Sequence, residues 1–143
     1  MEISKMSNSH LEEIKDILLT DFDDFWTYSV FKSELQNPNS QYFVAIQDDE
    51  IVGFAGIWKA IDVMHITNIV TKVSKRHFGI ASMLLEKLIE VSKKENVNSL
   101  TLEVNETNTY AIKLYEKYNF KKIGLRKNYY AQNENAIIMT LLF

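Results

Sequence analysis

Three groups of residues in this 143-residue chain have the types and spacing that chemistry needs. The first is "KRHFGIA" at 75–81, where Arg76, Gly79 and Ala81 stand at the mouth of a helical pattern. A helix start leaves backbone N–H groups without partners, and its dipole favours an anion there. Glycine permits positive φ and a close approach of backbone to a bulky diphosphate. Ala81 keeps the first turn clear, and Arg76 adds charge. The spacing alone suits a turn glycine before a core helix equally well.

The second is Glu103 in "SLTLEV", where Leu100, Leu102 and Val104 share one strand face and Thr101, Glu103 and Asn105 the other. Burial between covering helices would disfavour the charged form and raise this carboxyl towards the range of a general base near neutral pH. A solvated strand-face glutamate has the same spacing. The third is Tyr115, a phenol able to lend a proton to a departing thiolate at neutral pH. Its place on the stripe 111–114–115–118 also fits a core aromatic.

Other chemistries lack their patterns. Neither G-x-G-x-x-G nor G-x-x-x-x-G-K-[ST] occurs. His10, His65 and His77 sit in no H-x-H or H-E-x-x-H spacing, so no metal site is expected. Serine lacks a G-x-S-x-G setting, and there is no cysteine to act as thiol nucleophile or to form a disulfide. Trp26 and Trp58 read as core or pocket wall.

The elements that must position these groups follow from periodicity. "HLEEIKDILLTDF" spaces apolar residues as an amphipathic helix over 10–22, with Ser7 or Ser9 as its cap. "TYSVFKSELQNPNS" predicts a short second helix ending before Pro38. "QYFVAIQDDEIVGFAGIWKA" predicts a hairpin turning at its acidic "QDDE", and "VMHITNIVTKV" continues the meander. A helix from Gly79, the strand 98–104, a helix over 108–120 and two closing strands complete the order βααβββαβαββ. That is an α/β (α+β) chain with a mostly antiparallel sheet and one parallel pair across the Gly79 crossover. Ligands in open α/β sheets collect where neighbouring connections diverge, which again points to the end of the strand feeding Gly79.

Composition bounds the reading. With 46% hydrophobic and 24% charged residues, 1–143 reads as one domain with one core. The formal net charge of −3, with acidic clusters at 21–24 and 48–50, disfavours direct nucleic-acid binding. The N-terminus carries no basic flank and apolar run, and no apolar stretch reaches the ~18 residues of a membrane span. A soluble cytoplasmic protein is expected.

Taken together, the segments resemble one family. "KRHFGIA" is similar to the R/Q-x-x-G-x-G/A signature of the GCN5-related N-acetyltransferases (GNAT), and "NTYAIKLYEKYNF" to their N-x-x-A-x-x-L-Y-x-x-x-G-F segment. "LEV", "NYY" and "NAIIM" resemble the RimI-like ribosomal-protein-alanine N-acetyltransferase branch, and the likeness runs over essentially the whole chain. The resemblance implies about seven strands flanked by four helices, with a splayed strand pair holding acetyl-CoA. Carried over, Ile69, Val70 and Thr71 would bind the acetyl–pantetheine arm through backbone groups. With Arg76 beside it, the turn of His77, Phe78, Gly79, Ile80, Ala81 and Ser82 would hold the pyrophosphate. Asn108 would contact the pantetheine arm, Glu103 would be the general base and Tyr115 the general acid. Donors near Val70 would stabilise the oxyanion.

The acceptor implied is a protein N-terminus, that of ribosomal protein S18 foremost. Other N-termini, a lysine or a small-molecule amine are the alternatives, and a non-catalytic CoA-binding module is the non-enzyme one. Trp26, Tyr129 and Tyr130 are candidate acceptor contacts, although two strand tyrosines can equally pack the final hairpin. The chain departs from the family pattern at Phe25, where proline often precedes the tryptophan, at Asn119, where glycine precedes the final phenylalanine, and at Asn135, where an acid often precedes "AIIM". Asparagine tolerates the left-handed geometry that a glycine at 119 would supply.

Overall fold

The computed structural model describes residues 1–22 and 26–143. In chain order the elements are β1 (Glu2–Lys5), α1 (Asn8–Ile14), α2 (Tyr28–Glu34), β2 (Ser40–Gln47), β3 (Glu50–Ala60), β4 (Val63–Thr71), α3 (Ile80–Lys94), β5 (Ser99–Asn105), α4 (Thr109–Lys117), β6 (Lys121–Ala131) and β7 (Glu134–Leu142). The strands form one sheet in the order β1-β2-β3-β4-β5-β7-β6, antiparallel except where β4 meets β5. This is the element order that periodicity predicts.

Local chemistry explains most boundaries. Ser7 caps α1, its hydroxyl accepting from the His10 amide at 3.3 Å while His10 Nδ1 accepts from the Ser7 amide at 3.0 Å. His10 is thereby a capping residue. The first helix is shorter than the expected 10–22: α1 ends at Ile14, and a 3₁₀ turn covers Lys15–Ile17. Thr20 donates to the Ile17 carbonyl and to Asp21, and such local side-chain bonds compete with helix propagation. The apolar stripe nevertheless holds, with Leu11, Ile14, Leu18 and Phe22 all buried. Asp48 and Asp49 both take positive φ, which gives the two-residue turn between β2 and β3 the twist that a hairpin needs.

Helices cover both sheet faces. On one, Leu84, Leu85 and Leu88 of α3 pack on Val52, Ala55, Leu100 and Leu102; on the other, Leu11, Ile14 and Phe31 pack on Val44, Phe54 and Val70. The sheet is not continuous between them. β4 pairs with β5 only over Val63–His65 against Ser99–Thr101, and beyond those residues the strands part. An irregularity in the β3–β4 register sits at the same place: Gly56 faces Asn68 and Ile57 faces Ile66, leaving Thr67 as an extra residue. Bulge and splay together open the middle of the molecule.

Candidate active site

The parted strands create a free backbone edge. Lys72 donates its amide to the Val52 carbonyl at 2.8 Å. The alternation of an antiparallel ladder then turns the N–H and C=O groups of Ile69 and Thr71 the other way, towards the edge that β5 has left. Val70's own amide faces β3, and its side chain is buried in the core on the α1–α2 side.

At the end of β4 the chain passes through Arg76, in extended conformation, into a turn where His77 has φ 70° and Gly79 has φ 80°. Gly79 is the N-cap of α3, whose first intrahelical bond runs from Met83 to Gly79 at 3.2 Å. The amides of Ile80, Ala81 and Ser82 are therefore left without helical partners at the positive end of a 15-residue helix. A Cβ placed on Gly79 would meet nothing within 4 Å, so it is the positive φ that calls for glycine here.

Across the opening, Asn108 caps α4, its side chain accepting from the Ala111 amide at 3.1 Å. Tyr118 at the other end of α4 donates to Glu86 of α3 at 3.0 Å, fixing the two helices together. Asn119 adopts φ 73°, the left-handed turn that its replacement of glycine had to preserve. Tyr115 is buried, and burial, with Tyr130 nearby, pushes its phenol well above the usual tyrosine value. It therefore holds its proton at neutral pH. Ile69, Thr71, Arg76, His77, Gly79, Ile80, Ala81, Asn108 and Tyr115 all line one cavity of about 420 Å³. Tyr110 joins them, its ring 5.5 Å from that of His77 in an edge-to-face pair across the mouth. Phe78 projects into solvent, 74% exposed, and neither it nor Ser82 lines the cavity. Any role of theirs there would be through the backbone.

Glu103 lines a second cavity, of about 360 Å³, with Trp58, His65, Thr67, Arg126, Tyr129 and Tyr130. Its side chain is 26% exposed, with the Arg126 guanidinium 3.3 Å from its carboxylate. Hydrogen bonding to Glu103 is the first cause, and burial the second, that raises the Tyr129 phenol; burial is the first cause for Tyr130. Arg126 also lies over the Tyr129 ring at 5.5 Å, and the two tyrosines meet edge to face at 5.0 Å. They thus face the cavity rather than merely packing the β6–β7 hairpin. Asn135 ties that hairpin down, accepting from the Asn128 amide at 2.9 Å and donating to Glu106 at 3.0 Å.

Trp26 is placed elsewhere. It is partly buried, packs on Phe31 and Tyr42 against the core, and is not among the described residues lining either cavity. Phe25 lies outside the described residues. The tryptophan at the cavity is Trp58, stacked on His65 at 4.2 Å and 11°. His65, Arg126 and Tyr110 are site residues that the sequence does not identify, and Trp58 takes the pocket-wall place that was one of its two readings. The signal for His65 was its register: it pairs with Thr101, two residues before Glu103 on the same strand face, which only the parallel pairing reveals. Among the described residues no group of three or more histidine, aspartate or glutamate side chains is arranged to hold a metal ion.

Comparison with known proteins agrees with this geometry. Residues 11–120 match the Acetyltransferase (GNAT) family model. The chain is 31% identical to an N-alpha-acetyltransferase of Saccharolobus solfataricus, over 94% of this chain and 90% of that one. The crystal structure of the ribosomal-protein-S18-alanine N-acetyltransferase from Escherichia coli superposes with a TM-score of 0.88 at 31% identity, covering 99% of this chain and 92% of that one. A Bacillus anthracis acetyltransferase solved in complex with acetyl coenzyme A superposes with a TM-score of 0.71 at 26% identity, covering 79% of this chain and 68% of that one. The seven-stranded sheet with its parting strands, the glycine turn and these likenesses make the chain a member of the GNAT family, an N-acetyltransferase.

Proposed function

We propose that the protein transfers the acetyl group of acetyl-CoA to the N-terminal α-amine of a protein, with the N-terminal alanine of ribosomal protein S18 as its acceptor. The observation that carries this reading is the pair of cavities at the β4–β5 opening: one bears an anion-binding turn, the other a carboxylate among aromatic walls. A non-catalytic CoA binder would need the first and not the second. The E. coli relative's name supplies the S18 acceptor. Action on that acceptor implies a cytoplasmic protein; no described helix is long and apolar enough to cross a membrane.

The residues fit the donor. Two positive-φ positions, His77 and Gly79, turn consecutive amides outward at the head of α3, where Arg76 adds charge for a pyrophosphate. Ile69, Thr71 and Asn108 would hold the acetyl–pantetheine arm. When bound, acetyl-CoA supplies the thioester carbonyl to be attacked and the thiolate that leaves. Glu103 takes the proton of the incoming ammonium, which is largely charged at neutral pH, directly or through water. The outward amides of Ile69 and Thr71 donate to the oxygen where negative charge develops. Tyr115, protonated because it is buried, gives its proton to the departing sulfur and is restored by the second proton that nitrogen loses as the amide forms, while the first leaves Glu103 for water. Tyr129 and Tyr130 wall the acceptor backbone on the other side.

The test incubates the protein and acetyl-CoA with three peptides: one bearing the S18 N-terminus, one an unrelated N-terminus and one only an internal lysine as its free amine. Mass spectrometry then locates the acetyl group. Preferential labelling of the S18 α-amine is expected. Labelling of the lysine peptide alone would refute the N-terminal assignment.

A further inference from the structure

The hairpin that carries Tyr129 and Tyr130 is not a regular ladder. β6 pairs with β7 as far as Arg126 opposite Ala136, and pairing resumes only at Ala131 opposite Glu134. Lys127, Asn128, Tyr129 and Tyr130 thus stand against Asn135 alone, where an ordinary bulge sets two residues against one. The register is interrupted over this stretch, and a side chain spans it. Asn135 Oδ1 accepts from the Asn128 amide at 2.9 Å, and Asn128, with φ 55°, accepts at its own Oδ1 from the Asn133 amide at 2.7 Å.

The same carboxamide reaches out of the hairpin. Its Nδ2 donates to Glu106 Oε1 at 3.0 Å, and the Glu106 amide donates to the Asn135 carbonyl, also at 3.0 Å. Glu106 belongs to the turn between β5 and α4, where the Asn108 amide donates to the Asn105 carbonyl at 2.9 Å before Asn108 caps α4. Asn135 therefore joins the wall of one cavity, through Tyr129 and Tyr130, to the approach to Asn108, which lines the other. A backbone N–H can only donate and a carboxylate only accept, so these two partners together demand a side chain with both an acceptor and a donor. Aspartate would keep the Asn128 bond and set a second carboxylate against Glu106.

We propose that Asn135 is a positioning residue for acceptor recognition: its carboxamide clasps the long β6 bulge to the turn ahead of α4 and so sets where Tyr129 and Tyr130 stand relative to the donor cavity. The inference rests on the acetyl-transfer reading and adds a determinant that is not among the described residues lining either cavity. With the clasp cut, the two tyrosines remain in the chain but no longer share one geometry. The incoming peptide must then order the bulge itself, a cost that falls on acceptor binding and not on the chemical step. The peptide KM therefore carries the effect, while kcat and CoA affinity do not.

The test reverses the polarity of the clasp. Asn135→Asp, Glu106→Gln and the double variant are compared with the parent, full-length chain in steady-state assays with acetyl-CoA and whichever of the three peptides the parent acetylates fastest. A wrong acceptor assignment would thus show in the parent's products and leave this comparison intact. Asn135→Asp should raise the peptide KM about five- to tenfold, with kcat within about threefold and the CoA Kd, by titration calorimetry, within about twofold. Glu106→Gln alone should stay within about twofold of the parent on every constant, because its side-chain carbonyl still accepts. In the double variant the new amide donates to the new carboxylate, and KM should return to within about twofold of the parent. An unchanged KM in Asn135→Asp, or a double variant no better than Asn135→Asp, would overturn the proposal. Hydrogen exchange over residues 127–134 needs no acceptor and should be faster in Asn135→Asp and restored in the double variant. Equal exchange in all four proteins would overturn the clasp even if the parent acetylated none of the peptides. If thermal unfolding shows that Asn135→Asp does not fold, Glu106→Ala cuts the clasp from the other side and carries the same expected rise in KM.

Discussion

Replacing Gly79 with alanine separates what the phosphate turn demands of its backbone from what it demands of space. A Cβ there would touch nothing within 4 Å, so no steric term enters. What remains is φ 80°, a left-handed conformation that costs a residue with a Cβ about 1–2 kcal/mol. This cost has two places to appear. If the turn keeps its geometry, the folded state carries the strain, and Tm falls by about 3–6 °C for a chain of this size while CoA affinity is unchanged. If the turn relaxes, stability is kept but binding must restore the geometry, and the CoA Kd rises about five- to thirtyfold. Differential scanning calorimetry and titration calorimetry with CoA, run on the same preparations, read both. Gly79→Asn should lose less than Gly79→Ala on either measure, because asparagine accepts this region, as Asn96, Asn119, Asn128 and Asn133 do in this chain. If alanine moves neither quantity, or asparagine proves worse than alanine, the strain argument is wrong.

Three further substitutions probe other parts of the argument. Glu103→Gln should lower kcat/KM by about 10²- to 10⁴-fold in steady-state assays and leave CoA affinity within about twofold, because Glu103 lies in the other cavity. Tyr115→Phe should also lower kcat; since burial raises this phenol, it stays protonated from about pH 6 to 9, and any alkaline loss of parent activity in that range should not be its ionisation. A pH–rate profile whose alkaline limb vanished in Tyr115→Phe would contradict this. Gly56→Ala should destabilise by at least about 1–3 kcal/mol in urea unfolding, because its Cβ would run into the Tyr42 ring beside the β4 irregularity. Full stability in that variant would mean the ring is free to move aside.

Much of the fold was legible because its periodicities are local. The leucines of α3 and the alternation 100–102–104 announce their buried faces without reference to any neighbour, and both faces are buried as read. The first helix was over-extended because its stripe is a packing pattern. Phe22 reaches the core from a turn as well as a helix would bring it. For the site, the glycine turn could be located from "RHFGIA" since its geometry is set within a few residues, as the φ values of His77 and Gly79 bear out.

What the sequence by itself determined is the set of elements, their order and the place of the glycine turn at the head of α3. These depend on backbone preference and on the spacing of apolar residues along one segment. Only the tertiary structure decided which side chains meet. Trp26 and Trp58 each follow an apolar residue in the chain, yet one packs against the core and the other stacks on His65, because the β3–β4 register sets Trp58 opposite His65. Arg126 reaches Glu103 across the intervening β7, in a strand order that adjacency in the chain does not imply. The separation of β4 from β5 beyond His65 likewise belongs to neither strand alone; it is a failure of pairing between segments about 35 residues apart, and the cavities exist because of it.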